Sequence, residues 1–399
     1  MSSIEYEIGL LERMVEVDTD SVSKKGYGKC ASIIKEAAKR DSLDTEVIDG
    51  EKAAKDGLSR PNIIVTLDSG SQATLLLESH FDIVPPGPDW TYPPLKLTIK
   101  GDKAYGRGTA DNKAGIAAAM GAMRLLAKEK LDINVKLVAS VDEEIGGKYG
   151  VDYIMNDCGL KGDAAVIVDA GPERLYLGAS GIIWGKVTVE GKQGHAGSPF
   201  RAKNAIDEAL KLLGTLKSYK NVVEKKESAL NAPPKSPKKH VWGRYTVTMI
   251  KAGEKENVIP GTCEIRFDRR LIPEESADKA EKELKTYFNK ALEKTGCKAS
   301  LEIISKQPGY HTPKDLNFVQ TVSKNIKKTT GKSLPFAAEL GGNDGTFFAQ
   351  NRIPVVCYGP IRDDTRYHGI DEFVYLKDLK NVRDLIVNVG KSKRQDILQ

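Results

Sequence analysis

The sequence predicts an α/β fold, a mostly parallel sheet flanked by helices and interrupted by an inserted α+β unit. Three observations predict it. From residue 62 to residue 168, short apolar runs alternate with helical stretches, the pattern of βα layers. Near Gly178 the texture changes to an alternating strand, further strands, a helix and a second, long helix, and from Leu301 onward it changes back. Acids and histidines fall directly after the apolar runs, at the strand edge where open α/β sheets bind their ligands.

The elements follow in order. Residues 4–16 read as an amphipathic helix with Ile8, Leu11 and Met14 on one stripe. Residues 29–40 form a second helix. Residues 62–67 and 73–79 are apolar runs bounded by turn residues, hence buried strands. Residues 113–128 are rich in Ala and Met and strongly helical, 133–140 is a strand ending just before Asp142, 150–155 is helical, and 164–168 is another strand. Beyond Gly178, residues 182–190, 245–250 and 262–267 read as strands and 205–216 and 276–295 as helices. The expected organisation is a first α/β segment over 1–178, an insert over 179–298 and a second α/β segment over 299–399.

Composition narrows the function classes. The 399 residues include 40% hydrophobic ones, enough for a real core. The formal charge is +6, but 61 basic residues are mixed with 55 acidic ones. No basic stripe interleaved with aromatics appears, which argues against a nucleic-acid partner. No run approaches the length of a membrane span. The five cysteines, at 30, 158, 263, 297 and 357, are odd in number and lack CxxC spacing. Together with a charged stretch over residues 1–14, they lead us to expect a reduced, cytoplasmic protein.

Five short stretches carry the chemistry: Ser79-His80-Phe81-Asp82, Gly106-Arg107-Gly108-Thr109-Ala110-Asp111, Asp142-Glu143-Glu144, Val168-Asp169 and Tyr367-His368-Gly369. Two divalent ions sharing a site need hard oxygen ligands, imidazoles and a bridging carboxylate, and these stretches supply each type. Asp82, two residues after His80, sits on the same side of an extended chain and can orient the imidazole. Asp111 precedes a helix and reads equally as its cap. Glu143 and Glu144 read alone as an acidic turn. Beside cations, one would ligate and its neighbour would move a proton. Asp169 at a strand tip is a turn former or a ligand.

In this order, the motifs resemble the zinc aminoacylase and carboxypeptidase family that includes acetylornithine deacetylase, succinyl-diaminopimelate desuccinylase and glutamate carboxypeptidase. The resemblance spans residues 5 to 385 and implies a dizinc exopeptidase-like catalytic domain with an inserted lid that dimerises. It implies that His80 and Asp169 bind one zinc, that His368 and Glu144 bind the other, and that Asp111 bridges. Asp82 would then orient His80, and Glu143 would be the general base. Cobalt suits the same donors. Gly194-His195-Ala196-Gly197 resembles the stretch whose histidine serves the partner subunit's site. Asn257 and Arg270 resemble substrate contacts, and Gly341 and Gly342 a loop that lines the pocket. Read alone, His195 is a loop histidine and Arg270 a structural partner of Asp268 or Glu264. The implied activity is hydrolysis of an amide beside a free carboxylate, with an N-acyl amino acid or short peptide as the small-molecule partner. An N-acyl amino acid deacylase of the acetylornithine or succinyl-diaminopimelate type is favoured, and a dipeptidase or carboxypeptidase is the alternative. A non-catalytic binding protein would be expected to have lost a ligand or the base. Asp169 stands where several deacylase branches carry glutamate, and Asp111-Asn112-Lys113 is closer to the dipeptidase branches. Gly369-Ile370-Asp371-Glu372 points to the deacylase side.

Overall fold

A computed structural model describes residues 3–398. The elements that frame the site are, in chain order, α1 (Glu5–Val15), α2 (Tyr27–Arg40), β1 (Asp44–Asp49), β2 (Pro61–Leu67), β3 (Thr74–His80), α3 (Ala114–Leu126), β4 (Asn134–Ser140) and β5 (Ala164–Ile167), followed by β6 (Gly181–Glu190), α4 (Ala205–Val223), β7 (Arg244–Ala252), β8 (Thr262–Leu271), α5 (Ala277–Thr295), β9 (Lys298–Gln307), α6 (Asn317–Thr330), β10 (Val355–Cys357) and α7 (Leu376–Gly390). The chain divides into two compact units. One holds residues through Leu177, Thr312–Ala337 and Asn343 onward, and the other holds Gly178–His311 with Ala338–Gly342.

In the first unit the strands run in the order β1-β2-β4-β3-β5-β10. The pairs β4–β3, β3–β5 and β5–β10 are parallel, whereas β1–β2 and β2–β4 are antiparallel. The sheet is therefore mixed, with a parallel centre. Parallel neighbours need a crossover of a dozen or more residues. The short links after β1 and after β2 reverse the chain instead. Leu75, Leu76 and Leu77 of β3 are fully buried, as expected for a strand covered on both faces. Burying each such side chain stabilises by about 1.5–3 kcal/mol. α3 packs against α1 and α7. It can do so because its residues are small: a Cβ on Gly121 would lie 2.2 Å from Glu7 Oε1. Glu7 is buried there and pairs with Arg383 of α7 at 3.2 Å.

The second unit is a four-stranded antiparallel sheet, β7-β8-β6-β9, with α4 and α5 packed on it. β6 alternates buried and more exposed positions. Its Ile183, Val187 and Val189 meet Leu212 and Leu216 of α4, Phe267 of β8 and Leu284 of α5 in one core. Both helices begin on side-chain caps, since Asn204 accepts from Ile206 N at 3.0 Å and Ser276 from Lys279 N at 3.4 Å. Gly296 ends α5 in the left-handed region at φ +66°. The expected boundary at 298 falls too early. β9 pairs with β6 in register Leu301↔Val187, and its Ala299, Leu301 and Ile303 pack on the insert's core, so the insert runs on to His311.

Candidate metal centre

Three neighbouring strands bring the first acids and histidine together. His80 ends β3, Asp142 to Glu144 follow β4, and Asp169 follows β5, all at the carboxyl edge of the parallel centre. His80 Nε2 lies 3.1 Å from Asp111 Oδ1 and 4.0 Å from Asp169 Oδ2. His80 Nδ1 faces Asp82, 3.4 Å from the carboxylate and 3.1 Å from the backbone oxygen. His368 Nε2 lies 3.2 Å from Asp111 Oδ2 and 3.0 Å from Glu144 Oε2. Asp111 therefore offers one oxygen to each histidine. Two donor sets could each hold a cation, His80–Glu143–Asp169 and His80–Asp111–Glu144, with donor atoms within 4.8 Å of one another. Six of the residues expected to work together, with Asp82 beside them, thus converge in one unit.

Local structure fixes each of them. The Glu143–Glu144 turn is held from two sides. Asp82 accepts their backbone N–H groups at 3.3 and 3.1 Å. Asp142, in the left-handed region at φ +64°, closes the turn by accepting from Gly147 N at 2.8 Å. Asp142 is itself anchored by Tyr27 Oη at 2.9 Å, Arg60 Nε at 2.7 Å and Lys24 Nζ at 3.2 Å. The Asp111 loop is held by buried Glu372, which accepts from the backbone of Gly108, Ala110 and Asp111 at 3.0, 2.9 and 3.1 Å and pairs with Arg107 at 2.6 Å. Asn112 donates to Asp169 Oδ1 at 2.5 Å and to the Val168 carbonyl at 3.0 Å. Only glycine fits at 115, because a Cβ would sit 2.4 Å from both Asn112 Oδ1 and Ser79 Oγ.

The donor chemistry fits divalent cations. Burial pushes Glu143 well above the usual carboxylate range, with nearby Asp344 adding to it. Burial and the Asp111 charge push Glu144 to about 7. Burial raises Asp169 to about 6, and Asp111 reinforces the rise. Asp111 goes the other way: burial would raise it, but the hydrogen bonds from His368 and His80 win and hold it low. His368 rises to about 10 through its bonds to Asp111 and Glu144. Without cations, then, the carboxylates compete for protons. Divalent cations would neutralise them together.

Four further residues shape the site. Glu372 and Asp142 position the loops; both stand inside stretches singled out in the sequence, where neither carried a role of its own. Glu78, two residues before His80 on β3, is buried, accepts from Ser140 Oγ at 2.8 Å and is pushed to about 8 by burial and then Asp169. Asp344 is buried, has one oxygen without a hydrogen-bond partner, and packs on Gly147. The remaining expected residues lie in the second unit. His195 is exposed and accepts from Gly197 N at 2.9 Å. Its short strand pairs with Val258–Ile259, so the Asn257 carbonyl takes Ala196 N at 3.0 Å. Arg270 Nε grips Asp268 at 2.9 and 3.1 Å. Gly341 accepts from Ser180 N at 2.9 Å, and Gly342 lies beside Ser180.

An acid–histidine cluster whose donor sets, sharing His80, could hold a divalent cation at the carboxyl edge of an α/β sheet is the arrangement of a metal-dependent enzyme. Residues 76–391 match peptidase family M20/M25/M40, and the chain belongs to that family. It is a metal-dependent hydrolase acting on amide or peptide bonds. It is 31% identical to a succinyl-diaminopimelate desuccinylase of Helicobacter pylori, over 78% of each chain. It is 27% identical to an uncharacterised metallohydrolase of Methanococcus maripaludis, over 87% of each. The fold is shared with a metallo-carboxypeptidase from Sulfolobus solfataricus, with TM-score 0.79, 18% identity and coverage of 98% of this chain and 99% of that one. It is also shared with human carnosine dipeptidase 1, with TM-score 0.73, 17% identity and coverage of 98% and 97%.

Proposed function

We propose that this chain is a co-catalytic dizinc N-acyl amino acid deacylase that cleaves an amide beside a free carboxylate. The observation that carries the two-ion reading is Asp111, with one carboxylate oxygen toward His80 and the other toward His368. In this reading His80 and Asp169 would hold one ion, His368 and Glu144 would hold the other, and Asp111 would serve both. Zinc suits this mixture of nitrogen and oxygen donors, and cobalt can replace it. When bound, the pair would polarise the scissile carbonyl and lower the pKa of water.

The chain's own groups do the rest. Glu143 takes a proton from the attacking water at its carboxylate and returns it to the departing nitrogen. The raised affinity of Glu143 for protons supports that role. Asp82 fixes the His80 ring from its Nδ1 side while anchoring the Glu143 backbone. His195 donates to the developing oxyanion in the partner subunit's site. Asn257 and Arg270, with the backbone of Gly341 and Gly342, bind the substrate. Exposed Phe200, Leu210 and Ile250 on the insert support a homodimer formed through it. The cytoplasmic setting is supported by five free cysteines. Among the described residues no helix is long and apolar enough to cross a membrane.

The deacylase reading is favoured by the desuccinylase relatives. A dipeptidase or carboxypeptidase is the second reading, favoured by Asp111-Asn112-Lys113. A substrate panel separates them. N-acetylornithine and N-succinyl-diaminopimelate should release free amino acid faster than unblocked dipeptides do. Faster cleavage of dipeptides or N-blocked dipeptides would overturn the deacylase assignment.

A further inference from the structure

We infer that Ile145 and Tyr367, with Ile370 beside them, form an apolar subsite at the rim of the metal centre, and that it takes the acyl half of the substrate as an uncharged aliphatic or aromatic group. That the occupant is an acyl group rests on the deacylase reading; that the rim takes an apolar group does not. Ile145 is 51% exposed and directly follows Glu144. Tyr367 is 46% exposed and directly precedes His368, and Ile370, also 46% exposed, follows two residues later. Single apolar side chains are ordinary on a surface, but these gather on the two loops that bring Glu144 and His368 together. The loops meet where Glu144 Oε2 lies 3.0 Å from His368 Nε2. Consecutive Cα atoms are about 3.8 Å apart, so each apolar side chain starts one or two residues from a donor.

The Tyr367 ring stands edge-on to the His368 ring, with centroids 5.8 Å apart and planes at 72°. His368 is half-exposed, whereas His80 is fully buried. The centre therefore opens to solvent on the side where Tyr367 and Ile145 stand. Both loops present their side chains from closed turns. Ile145 N donates to the Asp142 carbonyl at 3.2 Å and Gly146 N to the Glu143 carbonyl at 2.8 Å, while Gly369 N donates to the Arg366 carbonyl at 2.8 Å. The cations of the same loops are engaged elsewhere. Arg366 faces Asp371 at 3.8 Å, and Lys148 lies over the Tyr149 ring, 5.3 Å from its centroid. A charged succinyl end would meet Glu143 and Glu144 without a cation held ready for it. An apolar chain would instead shed water against Ile145 and Tyr367.

Calorimetric titration of the zinc-loaded protein with straight-chain hydroxamates, which chelate zinc whatever their tail, tests the rim without turnover. Affinity should rise from acetohydroxamate to hexanohydroxamate by roughly two- to fourfold per added methylene, the range from half to full burial. The double variant Ile145→Ser, Tyr367→Ser, compared at equal bound zinc, should flatten that slope. A flat series in the native protein would give the rim to a second copy of the chain and overturn the subsite, as would an equal slope in native and variant. Turnover reads the substrate. With the amino acid half held constant, kcat/KM should rise from acetyl to hexanoyl, and 4-methylpentanoyl should exceed succinyl, its charged isostere. Preference for succinyl overturns the uncharged acyl assignment. If the native enzyme cleaves no N-acyl amino acid, the deacylase reading falls while the hydroxamate series still decides the rim.

Discussion

Two adjacent glutamates divide the work of the proposed mechanism, one moving protons and the other holding metal. Glu144 reaches His368 at 3.0 Å, whereas a Glu143 oxygen lies with His80 and Asp169. Glu143→Ala should leave zinc content unchanged and lower kcat by about 10²–10⁴-fold. Metal analysis of the purified variant checks this, and lost zinc would exchange the two roles. The raised carboxyls also set a pH dependence. Asp169 and Glu144 keep protons up to about pH 6 and about pH 7 in the metal-free chain, and metal must displace those protons. Zinc affinity should therefore rise as pH climbs through that window, with proton release visible as a buffer-dependent calorimetric heat. An affinity flat across the window would contradict the electrostatics.

Much of this was legible in the sequence because metal chemistry demands particular side chains. His80, Asp111, Glu144, Asp169 and His368 each stood out as an acid or imidazole at a strand end or loop. Glu78 and Asp344 did not, because burial is what makes those carboxyls unusual, and burial is a property of the fold.

At the scale of elements, the apolar strands were readable to within a residue or two. Residues 73–79 became Thr74–His80, and 133–140 became Asn134–Ser140. The exposed edge strand β1 escaped notice because its burial pattern carries no apolar alternation. Strand direction was also hidden, since pairing order rather than composition decides it. The loops that aim the site depend on remote anchors. Glu372 lies 261 residues from Asp111 in sequence, yet holds its backbone N–H. Glu372→Ala should cost about 3–5 kcal/mol, because it strands buried Arg107 and three backbone donors. Urea denaturation reads that loss. A change near zero would mean that the loop is held by its own turn geometry.

At the scale of the whole molecule, the insert's texture was plain but its end was not. β9 reads locally like the returning α/β layer, and only its pairing with β6 assigns it. The proposed dimer makes its own prediction. If His195 serves the partner subunit's site, Glu143→Ala and His195→Ala protomers refolded together should recover activity well above either variant alone, because one site per mixed dimer is intact. No recovery, with mixed dimers demonstrated, would confine His195 to its own chain.

In the proposed function, two metal ions on one acid–histidine cluster would drive the hydrolysis. The most direct test strips the enzyme of metal and titrates zinc back while following both bound metal and release of amino acid from an N-acyl amino acid. Activity should be absent without metal and should reach its plateau as about two ions bind per chain. Full turnover by the metal-free protein, or a plateau reached with a single ion bound, would contradict it.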